Sequence, residues 1–283
     1  MGQVRCFQVD AFTIEPFAGN PAAVVVVDQE YDDEWYQTVA REMNLSETAF
    51  VYRSEAGYHL RWFTPAVEVD LCGHATLASA HVLWRELNQP DDQPLEFHTR
   101  SGILTATCHG AIIELDFPAT PPSPAPPPQG LIDVLGIEPI DAGQSNFDWM
   151  LVVEREAIVR GLDPDPKQLA KIPTRGVMVT SVTDEGPFDF VSRFFAPNVG
   201  IAEDPVTGSA HCCLAPYWAD KLGKTSLVGY QASPRGGEVH VRVEGDRVVL
   251  GGQAITVMRG EWIATPLGSS TSTTVDSAST ETV

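Results

Sequence analysis

Two short stretches of the sequence combine groups that can bind an anion with groups that can move a proton. They read VDLCGHATLASAH at 69–81 and IAEDPVTGSAH at 201–211. Each has an acidic residue, then Gly73 or Gly208, then a histidine or a serine and an apolar run. The first turn of a helix offers free backbone N–H groups and a positive dipole end, and glycine lets a ligand approach it closely. If both helix starts face one cleft, that cleft can bind a carboxylate.

Five side chains near these glycines are candidates for proton handling, and each also has a structural interpretation. Glu47 stands between a helix and a strand, and is either a site residue or a surface acid. His74 is at a helix start, which favours the neutral imidazole, or is an ordinary buried histidine. Asp204 and Ser209 are polar groups of the cleft or caps of nearby N–H groups. Cys72 is a thiolate base or a small buried apolar residue.

The elements that must position these groups repeat along the chain. The phrase Arg-x-Phe-x-Pro precedes each glycine, at 61–65 and again at 193–197, and the second intervening loop is three residues longer. This double repeat predicts two pseudo-symmetric lobes, each with a buried apolar helix at its centre.

Composition sets the boundaries that we expect for these lobes. The chain has 283 residues, of which 43% are apolar, so a large core is possible. A proline-dense stretch at 118–129 cannot be helical and is interpreted as a stiff linker. We therefore expect an N-terminal lobe at 1–117 and a C-terminal lobe at 130–266. The segment 267–283 has almost no apolar content and is predicted to be disordered.

Periodicity predicts a mixture of helices and strands within both lobes. Strands are indicated by alternating or β-branched residues, and helices by apolar residues at helical spacing. The predicted strands are 4–12, 22–28, 48–54, 58–64, 150–154, 176–182 and 188–196, with more strands within 237–263; the predicted helices are 33–43, 73–87, 167–171 and 208–222.

Charge and cysteine content exclude several classes of function. The formal net charge is −20, from 38 acidic against 18 basic residues, which opposes binding to nucleic acid or to anionic membranes. The five cysteines are odd in number and form no Cys-x-x-Cys, which favours reduced thiols over disulfides or structural zinc. The histidines lack metal-binding spacing, so we expect no metal. No apolar run is long enough to cross a membrane and no signal-peptide pattern is present, so we expect a cytoplasmic protein.

Four phrases, in order along the chain, resemble one known family. They are DAFTIEPFAGNPAAVV, NLSETAF, FTPAVEVDLCGHATLASA and EDPVTGSAH. Together they resemble the phenazine biosynthesis (PhzF-like) isomerase family, over residues from about 4 to 265. The resemblance implies the diaminopimelate epimerase-like fold, of the α/β (α+β) class. It implies two lobes, each a rolled, mostly antiparallel sheet around a central helix, with the site between them. It also implies a homodimer and no cofactor or metal.

The same resemblance implies roles for residues of this sequence. Glu47 matches the family's acid/base glutamate, and His74 and Asp204 match its two partners in catalysis. The implied substrate is a small carboxylate similar to dihydro-hydroxyanthranilate, on which a proton moves between two ring carbons. Four further residues are implied to bind it: Ser209, Gly73, Gly208 and Asn20.

One departure separates this chain from true diaminopimelate epimerases. The resemblance implies that those enzymes use two cysteine thiols, one before each helix-start glycine. In this chain Cys72 holds the first of these places and Thr207 holds the second. A carboxylate acid/base isomerase therefore fits better. Two alternatives stay open: an amino-acid racemase or epimerase that pairs Glu47 with Cys72 or Asp204, and a binding or scaffold protein of the same fold.

Overall fold

In the computed structural model, which describes residues 4–263, strands and helices alternate in two consecutive sets. The segment 267–283, predicted to be disordered, lies outside the described residues. The first set is β1 (Val4–Ala11), β2 (Asn20–Val26), α1 (Asp33–Met43), β3 (Glu47–Ser54), β4 (Gly57–Phe63), β5 (Glu68–Val69), α2 (Gly73–His81), β6 (Leu95–Thr99), β7 (Gly102–His109) and β8 (Ile112–Pro118). The second set is β9 (Ser123–Pro124), α3 (Leu131–Leu135), β10 (Asp141–Gln144), β11 (Asp148–Val152), α4 (Glu156–Arg160), α5 (Pro166–Leu169), β12 (Gly176–Val182), β13 (Phe190–Ala196), β14 (Ile201–Asp204), α6 (Gly208–Leu222), β15 (Ser226–Gln231), β16 (Gly237–Glu244), β17 (Arg247–Gly252) and β18 (Ala254–Trp262).

The helices mostly have the bounds that their spacing predicts. Helix α1 has the predicted range because the side chain of Asp32 accepts from the backbone N–H of Trp35, and Asn44 ends it in the left-handed conformation. Helix α6 also starts and ends as predicted. The prediction of one α-helix over 73–87 is wrong in its last turn, since Val82–Glu86 is π-helical. The wider turn lets the bulky residues from Val82 to Trp84 all pack into the core.

Strand pairing follows the same plan in both sets. Within the first set, β2–β3 and β4–β6 are parallel, and their counterparts β11–β12 and β13–β15 are parallel in the second. The remaining pairs are antiparallel, and two of them, β8–β17 and β1–β18, join the two sets into one sheet. The expected mixed α/β fold is therefore confirmed, and its two sets of strands are similar and mostly antiparallel.

Two strands pair outside the lobe boundaries that composition predicts. Strand β18 lies in the range assigned to the C-terminal lobe, yet it pairs with β1. Strand β9 lies in the predicted linker and pairs with β10. Each covers a sheet edge that would otherwise expose unpaired backbone groups. The division of the chain at residues 117 and 130 stays a prediction. Hydrogen bonds tie β18 to β1 of the first set, and β9 to β10 of the second set.

The repeated Arg-x-Phe-x-Pro phrase forms the same ion pair twice. Arg61 donates to both carboxylate oxygens of Glu68, and Arg193 does the same to Glu203. Each pair closes the loop that leads into a central helix. The register of the neighbouring strands is also shared, because Phe63 faces Thr48 and Phe195 faces Val177. One residue earlier, Glu47 and Gly176 therefore hold equivalent places in the two lobes.

The two central helices are enclosed by their sheets. Every side chain from His74 to Ala80 of α2 is buried, and the helix packs on β1, β2, β3 and β8. Helix α6 packs on β15, β16 and β17 in the same way. Buried residues of both helices belong to one continuous hydrophobic core, which fixes the helices relative to each other. No helix among residues 4–263 has the length and apolar character needed to cross a membrane.

Candidate active site

The two central helices begin at the same point of the structure. A Cβ built on Gly73 would lie 3.8 Å from the Cα of Gly208, and one built on Gly208 would lie 3.7 Å from the Cα of Gly73. The preceding residues, Cys72 and Thr207, are extended and make no side-chain capping bond. Two helix N-termini without side-chain caps therefore meet, and their free N–H groups and positive dipole ends lie close together.

Glu47 lies beside the start of α2. It is the first residue of β3, and its side chain is only 13% exposed. Its Oε2 is 3.3 Å from Nε2 of His74. This contact lacks hydrogen-bond geometry, and neither atom has a hydrogen-bond partner among residues 4–263. A buried carboxyl and a buried imidazole thus face each other with unused hydrogen-bonding capacity, which is unusual for buried polar groups.

Burial sets the protonation state of this pair. Burial, followed by the negative charge of Asp204, raises the pKa of Glu47 to about 8. It lowers the pKa of His74 to about 4. The contact has the distance of an ion pair, but near neutral pH it joins a largely protonated carboxyl to a neutral imidazole. A carboxyl group with a pKa close to the working pH is suited to both giving and taking a proton.

Cys72 lies on the other edge of the His74 ring from Glu47. Its Sγ lies 3.5 Å from Nδ1 of His74, and burial, followed by the charge of Glu47, raises the pKa of the thiol well above its usual value. The candidate thiolate is therefore a neutral thiol. Donor atoms of Glu47, Cys72 and His74 lie within 4.8 Å of one another, and these residue types can bind zinc. The contact with Cys72 uses Nδ1 of His74, and the contact with Glu47 uses Nε2 of the same ring. A single metal ion bound to one of these nitrogens therefore cannot take the place of both contacts. The absence of a metal site stays a prediction.

Asp204 is the last residue of β14. Its Oδ1 accepts a hydrogen bond from Asn20 Nδ2 at 2.8 Å, and its Oδ2 accepts from Thr207 Oγ1. Asn20 also donates to the carbonyl of Val206 at 2.8 Å, so this N-terminal residue bridges to the second lobe. Burial raises the pKa of Asp204 to about 6, against the opposing effect of these two donors. The carboxyl is bonded by side chains, so capping of loop N–H groups is not its role.

Ser209 lies one residue into α6 and contacts an arginine that sequence reasoning missed. Arg175 Nη2 donates to Ser209 Oγ at 3.1 Å. The same guanidinium forms a two-point ion pair with Asp148, whose side chain is 1% exposed. Arg175 directly precedes β12 and is 34 positions from Ser209 along the chain. Its place just before the strand equivalent to β3 is the sequence signal that could have identified it.

Gln231 is a second residue that sequence reasoning missed. It is fully buried, donates to the backbone carbonyl of Asp204 at 2.7 Å, and accepts from the backbone N–H of Thr207 at 2.9 Å. Its amide therefore holds the loop between β14 and α6 in place. The structure brings the predicted site residues together around the two helix starts: Glu47, His74, Gly73, Asn20, Asp204, Gly208 and Ser209.

The fold places the protein in the class of diaminopimelate epimerase-like α/β proteins. A crystal structure of a probable proline racemase from Agrobacterium radiobacter K84 matches it with a TM-score of 0.61, covering 93% of this chain and 94% of that one. The two sequences are 12% identical, so this likeness concerns the fold alone.

The chain belongs to the PhzC-PhzF family of phenazine biosynthesis-like proteins, whose profile matches residues 9–260. It is 53% identical over 256 residues to an uncharacterized isomerase of Halalkalibacterium halodurans, covering 90% of this chain and 97% of the relative. A crystal structure of a PhzF-family protein from Enterococcus faecalis matches it with a TM-score of 0.89 and 41% identity, covering 93% of this chain and all of that one. The protein is an isomerase of this family.

Proposed function

We propose that the protein moves a carbon-bound proton on a small carboxylate substrate, with Glu47 as general acid and base. The observation that carries this proposal is the buried carboxyl of Glu47, with a pKa of about 8, against the neutral imidazole of His74 at the meeting point of two helix N-termini. The helix starts bind the substrate carboxylate, and the carboxyl group handles the proton.

The reaction needs one proton and no change in oxidation state. The Glu47 carboxylate takes a proton from a substrate carbon, and the C–H bonding pair enters the conjugated system of the substrate. The double bonds shift, and Glu47 returns the same proton to a second carbon of that system. His74 and Asp204 orient the intermediate and share its proton. Exclusion of water keeps the proton on the enzyme between the two steps.

The second lobe supports a mechanism with a single base. Gly176 holds the place equivalent to Glu47, but a Cβ there would lie 2.3 Å from Cζ of Phe194 and 3.0 Å from Oδ1 of Asp148. No side chain fits at that position, so the lobes cannot supply a symmetric pair of acids. Cys72 is a neutral thiol within 4.8 Å of Glu47. One base that removes and returns a proton favours an isomerase over an epimerase.

Asp204 is the observation that keeps a racemase as the second candidate. A racemase needs a second group on the opposite face of the substrate carbon, and Asp204 is a second carboxyl close enough for its charge to raise the pKa of Glu47, with its own pKa raised to about 6. Both of its oxygens already accept side-chain hydrogen bonds, which limits its freedom as a base. The isomerase is therefore the stronger proposal.

Hydrogen exchange with solvent tests the proposal. The purified protein and its Glu47→Gln variant are incubated in deuterated water with dihydro-hydroxyanthranilate and with a panel of L- and D-amino acids. Rearrangement of the compound and carbon-bound exchange are both followed by proton NMR. The matched control is Glu42→Gln, which changes an exposed glutamate of α1.

We expect rearrangement of the dihydro compound by the protein and the control, and none by Glu47→Gln. Exchange at the α-carbon of an amino acid instead would favour the racemase. Turnover that survives Glu47→Gln would overturn the mechanism. A protein that binds these compounds with neither rearrangement nor exchange would be a binding protein of the same fold.

We also propose that the enzyme works as a homodimer without a cofactor. Light scattering during gel filtration measures the mass of the assembly, which should be twice that of the 30.7 kDa chain. Dialysis against a chelator should leave turnover unchanged. A monomer, or activity that depends on an added metal or coenzyme, would contradict this part of the proposal.

A further inference from the structure

We propose that Arg175 and Ser209 form the carboxylate-binding subsite of this cleft, and that Arg175 makes the enzyme select a carboxylate over the corresponding carboxamide. This inference rests on the proposed function, because it names the group of the substrate that each lobe binds. The first lobe supplies the proton-transfer acid and the second lobe supplies the fixed positive charge.

The strand registers place Arg175 one residue before the position of the second lobe that is equivalent to Glu47. In the parallel pair β2–β3, Ala22 faces Glu47, and in the equivalent pair β11–β12, Asp148 faces Gly176. The residue before each strand is therefore Ser46 in one lobe and Arg175 in the other. Since Glu47 is the first residue of β3, Arg175 lies just before the equivalent end of β12 in the second lobe.

Its surroundings hold the guanidinium of Arg175 in one orientation. Asp148 is buried and accepts from Nε and Nη2 of Arg175. The guanidinium carbon lies 5.1 Å from the ring centroid of Phe147 and 6.0 Å from that of Phe194. A guanidinium fixed by a two-point ion pair and by aromatic rings loses little entropy when it binds a planar anion.

The remaining N–H groups of Arg175 are available. Its side chain is 40% exposed, and Nη1 has no hydrogen-bond partner among residues 4–263. The charge of Asp148 compensates the guanidinium when the subsite is empty, so no other counter-ion is needed. The two N–H groups on Nη1 can therefore donate charge-assisted hydrogen bonds to a substrate anion.

Ser209 adds a donor because of the bond that it accepts. Its Oγ accepts from Arg175 Nη2 at 3.1 Å, so one lone pair is used and the hydroxyl proton is free to donate elsewhere. A hydroxyl that accepts from a cation is also a stronger donor. The free N–H groups of the first turn of α6 lie beside it, since Thr207 makes no side-chain cap. Three kinds of donor therefore converge on one anion.

The charge of Arg175 also acts on Asp204, the proposed proton-handling residue of the second lobe. This charge opposes the rise that burial causes in the pKa of Asp204. Binding of a substrate carboxylate to Arg175 reduces this effect, so substrate binding and the protonation of Asp204 are coupled. A purely structural arginine would not give this coupling.

Calorimetric titration with two matched ligands tests the subsite. The probes are 3-hydroxyanthranilate, an aromatic analogue of the dihydro substrate, and its carboxamide. The proteins are the unmodified chain, Arg175→Gln, Arg175→Lys, and the control Arg41→Gln, which removes an exposed charge from α1. A double variant, Asp148→Asn with Arg175→Gln, removes both ion-pair partners, so the test remains available if the single variant unfolds.

We expect the unmodified chain and Arg41→Gln to prefer the carboxylate by about tenfold or more. Arg175→Gln and the double variant should lose this preference through weaker binding of the carboxylate, with the affinity for the carboxamide retained. Arg175→Lys should restore part of it. In turnover, the loss should fall mainly on KM, and the pH profile should shift as the pKa of Asp204 rises.

A preference for the carboxylate that persists in both glutamine variants would overturn the inference and leave the proposed function standing. Equal affinity of the unmodified chain for both ligands would also overturn it. Failure to bind either ligand would count against the substrate class as well, and the exchange test on Glu47 separates these two failures.

Discussion

Replacement of Glu47 by glutamine should stabilise the folded protein while it removes activity, and the gain should grow with pH. The folded-state pKa of this carboxyl is about 8, against an ordinary value of 4.5. Between these values the folded protein retains a proton that the unfolded chain has lost. Stability is therefore greatest below the lower value and is lost as the pH rises through the higher one. Glutamine carries no titrating group, so this loss disappears.

The size of the effect follows from the two pKa values. Each pH unit between them lowers the free energy of unfolding by about 1.4 kcal/mol. From about pH 5 to about pH 7, the unmodified protein should lose about 2.5 kcal/mol relative to Glu47→Gln. The difference between the two pH values is the useful quantity, because the contacts of the new amide affect both measurements equally.

Urea unfolding, followed by tryptophan fluorescence at several pH values, measures this difference. The exposed control Glu42→Gln should follow the unmodified protein throughout. Parallel stability curves for the unmodified protein and Glu47→Gln would refute the reasoning, because they would mean that the carboxyl titrates at its ordinary pKa in the folded state. If Glu47→Gln loses turnover while the two stability curves stay parallel, Glu47 is needed for catalysis but its pKa is not raised.

Three further predictions concern the same cleft. The value of kcat/KM should rise with pH towards a pKa near 8, because Glu47 must lose its proton to act as a base; a flat or falling pH–rate profile below this pKa would contradict this. Asn20→Ala removes a donor from the buried Asp204 and should lower the free energy of unfolding by about 2 kcal/mol and raise the pKa of Asp204, measured by denaturation and by carboxyl NMR titration. An unchanged pKa there would show that the bond is unimportant. Gly208→Ala places a Cβ at ordinary distances of 3.5 Å from Leu250 Cδ1 and 3.7 Å from Gly73 Cα, so the melting temperature should change by less than about 4 °C. Calorimetry should show that carboxylate affinity falls about tenfold in that variant, because the methyl group obstructs the helix start; unchanged affinity would exclude binding there.

Local signals in the sequence were sufficient for the elements that carry the site. Glycine followed by an apolar run marked the starts of α2 and α6, and the repeated Arg-x-Phe-x-Pro phrase indicated two similar lobes. Glu47 was ambiguous from its spacing, and only the family resemblance gave it a role. The structure supplies the physical content, because its pKa depends on burial and on Asp204, which is far away in sequence.

Contacts that depend on distant pairing could not be predicted from local patterns. Arg175 and Gln231 lie in ordinary strand contexts, and their positions near Ser209 and Thr207 follow from how β12 and β15 pair with β13. The proline-dense segment looked like a linker, although two of its residues form β9. Composition reports how a segment behaves alone, whereas pairing partners are fixed by the whole sheet.

The pairing of β18 with β1 has a consequence for how the chain acquires its structure. Val4 faces Trp262, so the strand that leaves the ribosome first among the described residues must wait for the strand that leaves last. The first lobe cannot complete its sheet during synthesis, and its closure is a contact of very high sequence separation. Such closures fold slowly and leave an open edge in the meantime. The same proximity makes a circular permutant, with Trp262 joined to Val4 by a short linker, a natural route to a faster-folding enzyme with an unchanged cleft.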